Sequence, residues 1–377
     1  MIYLDHNATT PLHPVARQAW LDAADQFIGN PSSPHRLGRR AERALDEARA
    51  SLARLLGGEA HDFVWTSGAT ESNNLALHHL ARTLPDGAEV WVSALEHPCV
   101  LEAAAHYFPA RQRLMPARPS GVIDLEWLRA ELSRRRPGVV AVMAANNETG
   151  VLQPWREALA LCRERDVPFF CDAAQWVGKL PASGLGGCDW VSGCAHKFGG
   201  PKGVGFLKCP ARGRLHPLLL GGPQEEGRRA GTENVAGVLS MLAMLEHREA
   251  ALAAGGAAAR QPWREEFATG LREKLPGAEI VGANESRLWN TVAALMPEAD
   301  CQRRWVVKLD KLGFAVSTGS ACASGKEEPS HVLAAMGRTP AEAGRVLRFS
   351  SGWETAAAEW TALLEALEHV AANRTAA

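Results

Sequence analysis

The chain reads V-S-G-C-A-H-K-F-G-G-P-K-G-V-G-F from Val191 to Phe206, a lysine set between apolar runs beside a glycine-rich loop. Residues 190–191 and 204–207 are typical of buried strands, so Lys197 follows a strand end. A lysine amine held there, partly out of water, has a lowered pKa and acts as a nucleophile. A lone lysine near glycines is more often simply solvated, and the surrounding sequence has to decide between these readings.

Short apolar runs alternate with helix-period segments on both sides of this lysine. Further strands are predicted at residues 63–65, 89–92, 139–144 and 168–171, and helices at residues 73–84 and 155–164. Such alternation predicts an α/β domain with a largely parallel sheet, whose ligand lies at the carboxyl ends of the strands.

Length and composition favour a two-domain enzyme. The 377 residues exceed one ordinary core, and 46% of them are hydrophobic. A net charge of -1 gives no reason to expect nucleic acid or an anionic membrane as partner. The N-terminus has no leader pattern and the chain has no membrane-length apolar run, so we expect a cytoplasmic protein acting on a small molecule.

The cysteine spacing and the segment after residue 250 give two further expectations, one about disulfide and zinc sites and one about a domain boundary. The eight cysteines form no C-x-x-C pair, which argues against a disulfide framework or a zinc site. An Ala/Gly-rich segment at residues 250–260 looks like a helix with a poorly packed interruption and is a candidate domain boundary. Beyond it, helices are predicted at residues 263–274, 301–312 and 354–371, and strands at residues 291–296 and 346–350.

Polar residues interrupt the strand pattern at two further places. S-G-A-T-E-S-N-N, from Ser67, follows a strand and opens a helix, which suits an anion cradle as well as an ordinary capped helix. Asp172 ends the apolar run before A-A-Q, where a buried carboxylate needs a cation or a strong donor unless it caps the next helix. A phosphate cradle, an acid and a lysine together match pyridoxal phosphate, which needs a Schiff-base lysine, an acidic partner for its pyridine nitrogen and a phosphate site.

Ten motifs in order make the sequence resemble a known family. They are Y-L-D-H-N-A-T-T, G-N-P-S-S-P-H, T-S-G-A-T-E-S-N-N, E-H, N-N-E-T-G, D-A-A-Q, A-H-K, G-T-E-N, G-S-A-C-A-S-G and R-F-S-S-G. The chain resembles the cysteine desulfurases of the NifS-like group, in the class V aminotransferases. The resemblance implies a fold-type I transferase dependent on pyridoxal 5'-phosphate: residues 1–15 join the small domain, residues 16–250 form the large cofactor-binding domain, and residues 251–377 form the small α/β domain that carries the catalytic cysteine loop.

The resemblance also implies roles for individual residues. Lys197 is expected to form the Schiff base, Asp172 to pair with the pyridine nitrogen, Gln175 to donate to the phenolic oxygen, and His97 to stack on the ring and take part in catalysis. The remaining cofactor contacts are expected from Ala69, Thr70, Asn147, Cys194 and His196, with Thr232 reaching the phosphate of the second subunit of a homodimer. Asn147 and Arg348 are expected to hold the substrate carboxylate, for which a guanidinium fork is suited. No metal site is expected.

Isolated cysteines are usually reduced, buried and inert, but one cysteine of this chain is expected to be an exception. Cys322 lies in S-T-G-S-A-C-A-S-G, from Ser317 to Gly325, whose small side chains offer little to pack. In the family this loop carries the cysteine that attacks the sulfur of L-cysteine. The resemblance therefore implies conversion of L-cysteine to L-alanine, with a persulfide formed on Cys322 and passed to an acceptor protein for iron–sulfur assembly or thiolation.

Three departures from the family pattern leave alternatives open. Cys194 stands where a phosphate-binding serine is usual, Pro223 replaces a glycine, and Trp353 stands where many members carry arginine. A selenocysteine lyase shares nearly every residue named above. A class V aminotransferase has no need of Cys322, and a non-enzymatic scaffold has no need of a lysine, an aspartate and a loop cysteine together.

Overall fold

A computed structural model describes residues 1–210, 215–298, 302–319 and 330–372. Its helices are α1 Pro14–Gln26, α2 Arg36–Leu56, α3 Ala69–Thr83, α4 Pro98–Tyr107, α5 Leu125–Leu132, α6 Trp155–Arg163, α7 Val235–Ala253, α8 Gly256–Lys274, α9 Gln302–Lys311, α10 His331–Ala335, α11 Pro340–Ala343 and α12 Ala357–Ala372. Its strands are β1 Ile2–Tyr3, β2 Phe63–Thr66, β3 Val90–Ser93, β4 Gln112–Met115, β5 Val139–Ala141, β6 Phe169–Asp172, β7 Trp190–Cys194, β8 Gly205–Lys208, β9 Glu279–Ile280, β10 Thr291–Leu295, β11 Phe314–Ala315 and β12 Val346–Ser350.

A seven-stranded sheet of order β2-β8-β7-β6-β5-β3-β4 forms the centre of the larger part. All neighbours are parallel except β8, which runs antiparallel to both β2 and β7. Strands buried on both faces read as continuous apolar runs, as F-V-W-T of β2 does. Phe63 and Trp65 face the core beneath α2, α6 and α7, whereas Val64 packs on the other side with α3 and α4. The predicted α/β class with a mainly parallel sheet is confirmed.

A second core forms around two smaller sheets. Strands β12-β10-β9 are antiparallel, and β1 pairs in parallel with β11, with Ile2 opposite Phe314. Helices α8, α9 and α12 cover this core through Phe267, Trp305 and Trp360, and Leu4 from the N-terminal segment is buried among them. The residue bounds of the three-part domain division stay a prediction.

Strand β4 was not predicted from the sequence, whereas the helix interruption near residue 255 was. The sequence of β4, Q-R-L-M, lies at a sheet edge where Leu114 remains 53% exposed and no apolar alternation is needed. The Ala/Gly-rich segment does interrupt the helix: α7 ends at Ala253, and Gly255 adopts a φ of +78° before α8 begins.

Trp353, one of the departures, has a packing role. Its ring lies 5.2 Å from the guanidinium carbon of Arg248 and 5.3 Å from that of Arg260. Its indole nitrogen donates to the carbonyl of Gly178 at 2.9 Å. The tryptophan therefore joins α7 and α8 to the loop after β6 by cation–π contacts and one hydrogen bond.

In the described parts of the chain, we find no helix with the length and apolarity that a bilayer span requires.

Candidate active site

A cavity of about 570 Å³ opens beyond the carboxyl ends of β3, β5, β6 and β7. We call it the active-site cavity. Ten of the residues predicted from the sequence line it: Ala69, Thr70, His97, Asn147, Asp172, Gln175, Cys194, His196, Lys197 and Arg348. Thr232 does not line it, and Cys322 lies outside the described residues.

Lys197 ends a single 3-10 turn that follows β7, so its side chain emerges at the sheet edge. Its Nζ donates to the carbonyls of Asn7, at 2.6 Å, and Ala8, at 2.8 Å. Burial lowers the pKa of Lys197, and the nearby thiol of Cys194 and carboxylate of Asp172 only partly oppose this effect. The neutral amine, which is the nucleophilic form, is thereby favoured.

Asp172 ends β6 and is almost fully buried. Its carboxylate accepts from the side-chain amide of Asn73 at 2.7 Å and from the backbone N–H of Ala174 at 2.9 Å. Two donors satisfy the buried carboxylate and fix its direction. Asp172 is thus equipped to pair with a protonated ring nitrogen.

His97 caps α4, with Nδ1 accepting the backbone N–H of Cys99 at 3.2 Å. Burial lowers the pKa of His97, although Asp172 acts in the opposite direction. The Cys99 thiol lies 3.0 Å from the same ring nitrogen. His97 is therefore a neutral ring at the wall of the active-site cavity, close to the acid.

The anion cradle predicted from S-G-A-T-E-S-N-N is the N-terminus of α3. Gly68 is its N-cap and has no side chain that could accept the first-turn amides. Such a helix end attracts a phosphate. Cys194 accepts a hydrogen bond from the backbone N–H of Ala69, and burial raises the pKa of this thiol to about 11. His196 shares a contact of 3.2 Å with the hydroxyl of Thr9, and burial lowers its pKa to about 4.

Arg348 enters the active-site cavity from β12. Its Nη1 donates to the carbonyls of Asn147 at 2.8 Å and Gly319 at 3.3 Å, and its Nη2 donates to the Asp5 carboxylate at 2.6 Å. Of the five guanidinium N–H groups, one on Nη2 and the one on Nε are left, and Nε is buried without a hydrogen-bond partner among the described residues. A buried guanidinium with an unused donor is suited to take a carboxylate.

Asn7 and Lys179 also belong to this site, although neither was predicted from the sequence. The carbonyl of Asn7 accepts from Lys197 and from Gln175 Nε2, and its side chain bonds Thr291. Lys179 is buried and donates to the side-chain oxygens of Asn7, at 2.7 Å, and Gln175, at 2.5 Å. The oxygen of the Gln175 amide is therefore fixed, which leaves its NH₂ as the group facing acceptors. The available signal was the position of Asn7 inside the motif Y-L-D-H-N-A-T-T and of Lys179 four residues after the end of D-A-A-Q.

Thr232 lines a separate cavity of about 140 Å³, to which Ser67 and Gly203 of the active-site cavity also contribute. Arg229, three residues earlier, pairs with Glu71 at 2.9 Å. Burial opposes ionisation of Glu71, but hydrogen bonds from Arg229 and Ser67 outweigh it and lower its pKa. This ion pair joins the loop of Thr232 to the N-terminus of α3.

The donor set fits pyridoxal phosphate. A lysine amine with a lowered pKa, a buried carboxylate with two donors, an oriented amide and a helix end with a glycine N-cap occupy the walls of one cavity. Among the residues the structure describes, no group of three or more His, Cys, Asp and Glu side chains could hold a metal ion.

Comparisons with known proteins agree with this geometry. The profile of the family "Aminotransferase class-V" matches residues 2–363. A cysteine desulfurase of Cereibacter sphaeroides is 40% identical over 374 residues, covering 97% of this chain and 94% of that protein. Among solved structures, a NifS-like protein superposes with a TM-score of 0.89 at 29% identity, covering 98% of this chain and 99% of that one. A structure described as SspA in complex with cysteine gives a TM-score of 0.79 at 29% identity, covering 93% and 98%. The chain therefore belongs to the aminotransferase class-V family, among its cysteine desulfurases.

Proposed function

We propose that this protein is a pyridoxal-phosphate-dependent cysteine desulfurase that converts L-cysteine to L-alanine and holds the sulfur as a persulfide on Cys322. The observation that carries the proposal is the convergence of Lys197, Asp172 and Arg348 on one cavity. A nucleophilic amine, an acid for a ring nitrogen and an anchor for an amino-acid carboxylate are the groups this reaction needs.

When bound, pyridoxal phosphate supplies an electron sink for the bonds broken at the substrate's α carbon. Lys197 would hold the cofactor and, once free, take the α proton on Nζ, which its lowered pKa permits. Asp172 would keep the ring nitrogen protonated. Arg348 would bind the substrate carboxylate through the N–H groups that Asp5 and the two backbone carbonyls leave unused, and so orient the side-chain sulfur.

The sulfur step involves Cys322, which lies outside the described residues. The sulfur of Cys322 forms an S–S bond with the substrate Sγ while the substrate's C–S bond breaks. The carbon keeps the electron pair and gains a proton, so that the products are L-alanine and Cys322 persulfide. No external oxidant or reductant is needed, because the sulfur atoms exchange one bond for another.

Two further proposals concern partners. The persulfide is passed to a sulfur-acceptor protein, as in iron–sulfur assembly or thiolation. The active protein is a homodimer in which Thr232 reaches the phosphate of the neighbouring subunit. Its position supports this, since Thr232 lies outside the active-site cavity of its own chain while Ser67 and Gly203 line both cavities.

The test is product formation from L-cysteine by the cofactor-loaded protein, with alanine and sulfide measured in the presence of a thiol reductant. We expect equal amounts of both, and a loss on the order of a hundredfold or more for Cys322→Ala. Cys209→Ala is the matched control, because Cys209 is buried outside the active-site cavity. Unchanged alanine formation by Cys322→Ala would point to another class V activity, and a higher kcat/KM for L-selenocysteine would point to a selenocysteine lyase.

A further inference from the structure

The thiol of Cys99 lies inside the active-site cavity, although no role was expected for it. Three side chains meet at its sulfur. His97 Nδ1 is 3.0 Å away, Asn73 Nδ2 is 3.1 Å away, and the hydroxyl of Thr70 also forms a hydrogen bond with it. Because Asn73 also donates to Asp172 at 2.7 Å, a continuous chain of hydrogen bonds runs from the acid to the histidine.

The directions of these hydrogen bonds follow from the chemistry of the partners. The Asn73 amide nitrogen can only donate, so Cys99 Sγ accepts from it. His97 Nδ1 already accepts the backbone N–H of Cys99 and therefore carries a lone pair rather than a proton. The contact between Nδ1 and the thiol is then an S–H···N bond in which Cys99 donates to the same lone pair, so that Nδ1 accepts a bifurcated hydrogen bond from the thiol and the backbone N–H of Cys99. The neutral His97 ring consequently carries its proton on Nε2.

We propose that Cys99 is a positioning residue whose S–H donates to His97 Nδ1, holding the ring neutral with its proton on Nε2 and linking it through Asn73 to Asp172. This proposal rests on the function proposed above. The two spectroscopic tests measure the S–H band of Cys99 and the pKa of His97, so their results do not depend on that function.

The charges around the pair agree with this assignment. Burial, together with the nearby carboxylate of Asp172, raises the pKa of the Cys99 thiol to about 12, so the thiol keeps the proton that it donates. The groups that face His97 come from several elements and act in different directions: Asp172 of β6 raises its pKa, and Lys197 and His331 lower it. Glu96, next to His97 in the chain, is buried and has a pKa raised by burial and by Asp172.

A cysteine beside a histidine also resembles a nucleophile with its base, and the surroundings distinguish the two cases. A reactive thiolate needs positive surroundings. Cys99 instead lies near two acidic side chains, Asp172 and Glu96, both of which disfavour its ionisation. Its sulfur is therefore a hydrogen-bond donor and acceptor rather than an attacking group.

The first test is the infrared S–H band of the loaded protein. The band of Cys99 is isolated as the difference between the parent and Cys99→Ala. We expect it at lower frequency than that of an unbonded thiol, and we expect it to move upward when the same difference is taken in a His97→Phe background. Cys162→Ala serves as the matched control, because Cys162 is a buried thiol of α6 outside the cavity. A Cys99 band that stays in place in the His97→Phe background would overturn the proposal.

The second test titrates the ¹⁵N-labelled histidine rings by NMR, with His97 assigned from its absence in a His97→Gln variant. Loss of the S–H donor in Cys99→Ala should raise the pKa of His97 by about half to one unit, which is the effect of one neutral hydrogen bond. Cys99→Ser keeps a donor and should titrate with the parent, as should Cys162→Ala. An unchanged His97 pKa in Cys99→Ala contradicts the proposal, and so does a persulfide found on Cys99 after one turnover.

Discussion

The Asp5 carboxylate lies 2.6 Å from Nη2 of Arg348, so the arginine assigned to the substrate already has an anionic neighbour inside the fold. The pair fixes the plane of a guanidinium whose side chain is 1% exposed. The substrate carboxylate is then left to bind the guanidinium N–H groups that Asp5 and the carbonyls of Asn147 and Gly319 do not use.

Arg348→Lys should raise the KM for L-cysteine at least tenfold. A single ammonium cannot keep its bonds to Asp5 and Asn147 and also bind a carboxylate through two donors, and each lost charge-assisted hydrogen bond costs about 1.5–3 kcal/mol. Steady-state kinetics of the variant measure this, with Arg345→Lys as control, because Arg345 bonds the Met296 carbonyl and does not line the active-site cavity. A KM equal to that of the parent would place the substrate carboxylate elsewhere.

Lys197→Ala should abolish covalent attachment of pyridoxal phosphate. The parent is expected to be yellow and to fix the cofactor irreversibly after borohydride treatment, with the label on the peptide that contains Lys197. Lys202→Ala, altered in the same glycine-rich loop, should still be labelled. Covalent label on the Lys197→Ala protein would show that the amine assignment is wrong.

Cys194 should remain a spectator in sulfur transfer. Its buried thiol has a raised pKa and accepts a hydrogen bond from Ala69, so it lacks the thiolate form that attacks sulfur. Mass spectrometry after a single turnover should find the persulfide on Cys322 and none on Cys194. Cys194→Ser should bind pyridoxal phosphate at least as tightly as the parent, because a hydroxyl is the stronger donor; persulfide on Cys194 would reverse the assignment.

His6 should make the protein less stable in mild acid. Burial lowers its pKa from 6.5 to about 4, so between these values the unfolded chain binds a proton that the folded chain does not. Stability contributed by the neutral ring is therefore lost as pH falls, by about 2 kcal/mol between pH 7 and pH 5. Urea unfolding at several pH values should show a smaller loss of stability between pH 7 and pH 5 for His6→Asn than for the parent. A substitution of the exposed His61 should lose as much stability as the parent.

Thr232→Ala should weaken cofactor retention if the phosphate is shared between subunits. Sedimentation of the parent at falling concentration should show release of pyridoxal phosphate as the dimer dissociates. A stable monomer that keeps its full complement of cofactor would contradict the shared site. Thr361→Ala is the control, since Thr361 is part of α12 and lines neither cavity.

The strand ends of the central sheet explain why much of the site could be predicted. Lys197 and Asp172 each interrupt an apolar run, and parallel strands bring such positions to one edge. Gln175 follows from the same motif. These residues are near the strands in sequence, so local pattern is enough to place them.

Asn7, Lys179 and Cys99 could not be assigned in this way. The contact between Lys179 and Asn7 joins residues 172 positions apart, and only the packing of both cores brings them together. Cys99 looks like any isolated cysteine until the turn at His97 places its sulfur beside the ring. Edge strand β4 was missed for a related reason, because one exposed side of a strand carries no apolar signal.

The bond between the backbone of Asn7 and the hydroxyl of Ser350 spans 343 positions, so its first partner is synthesised long before its second. At translation rates of about 5–20 residues per second, the N-terminal segment waits roughly 17–70 seconds for that partner. Leu4 and His6 bond the backbone of Ser350 as well, at 2.8 Å and 3.0 Å. The carbonyl of Asn7 that accepts from Lys197 is therefore held in place by these bonds only after residue 350 has been synthesised, so the complete cofactor site forms late in translation.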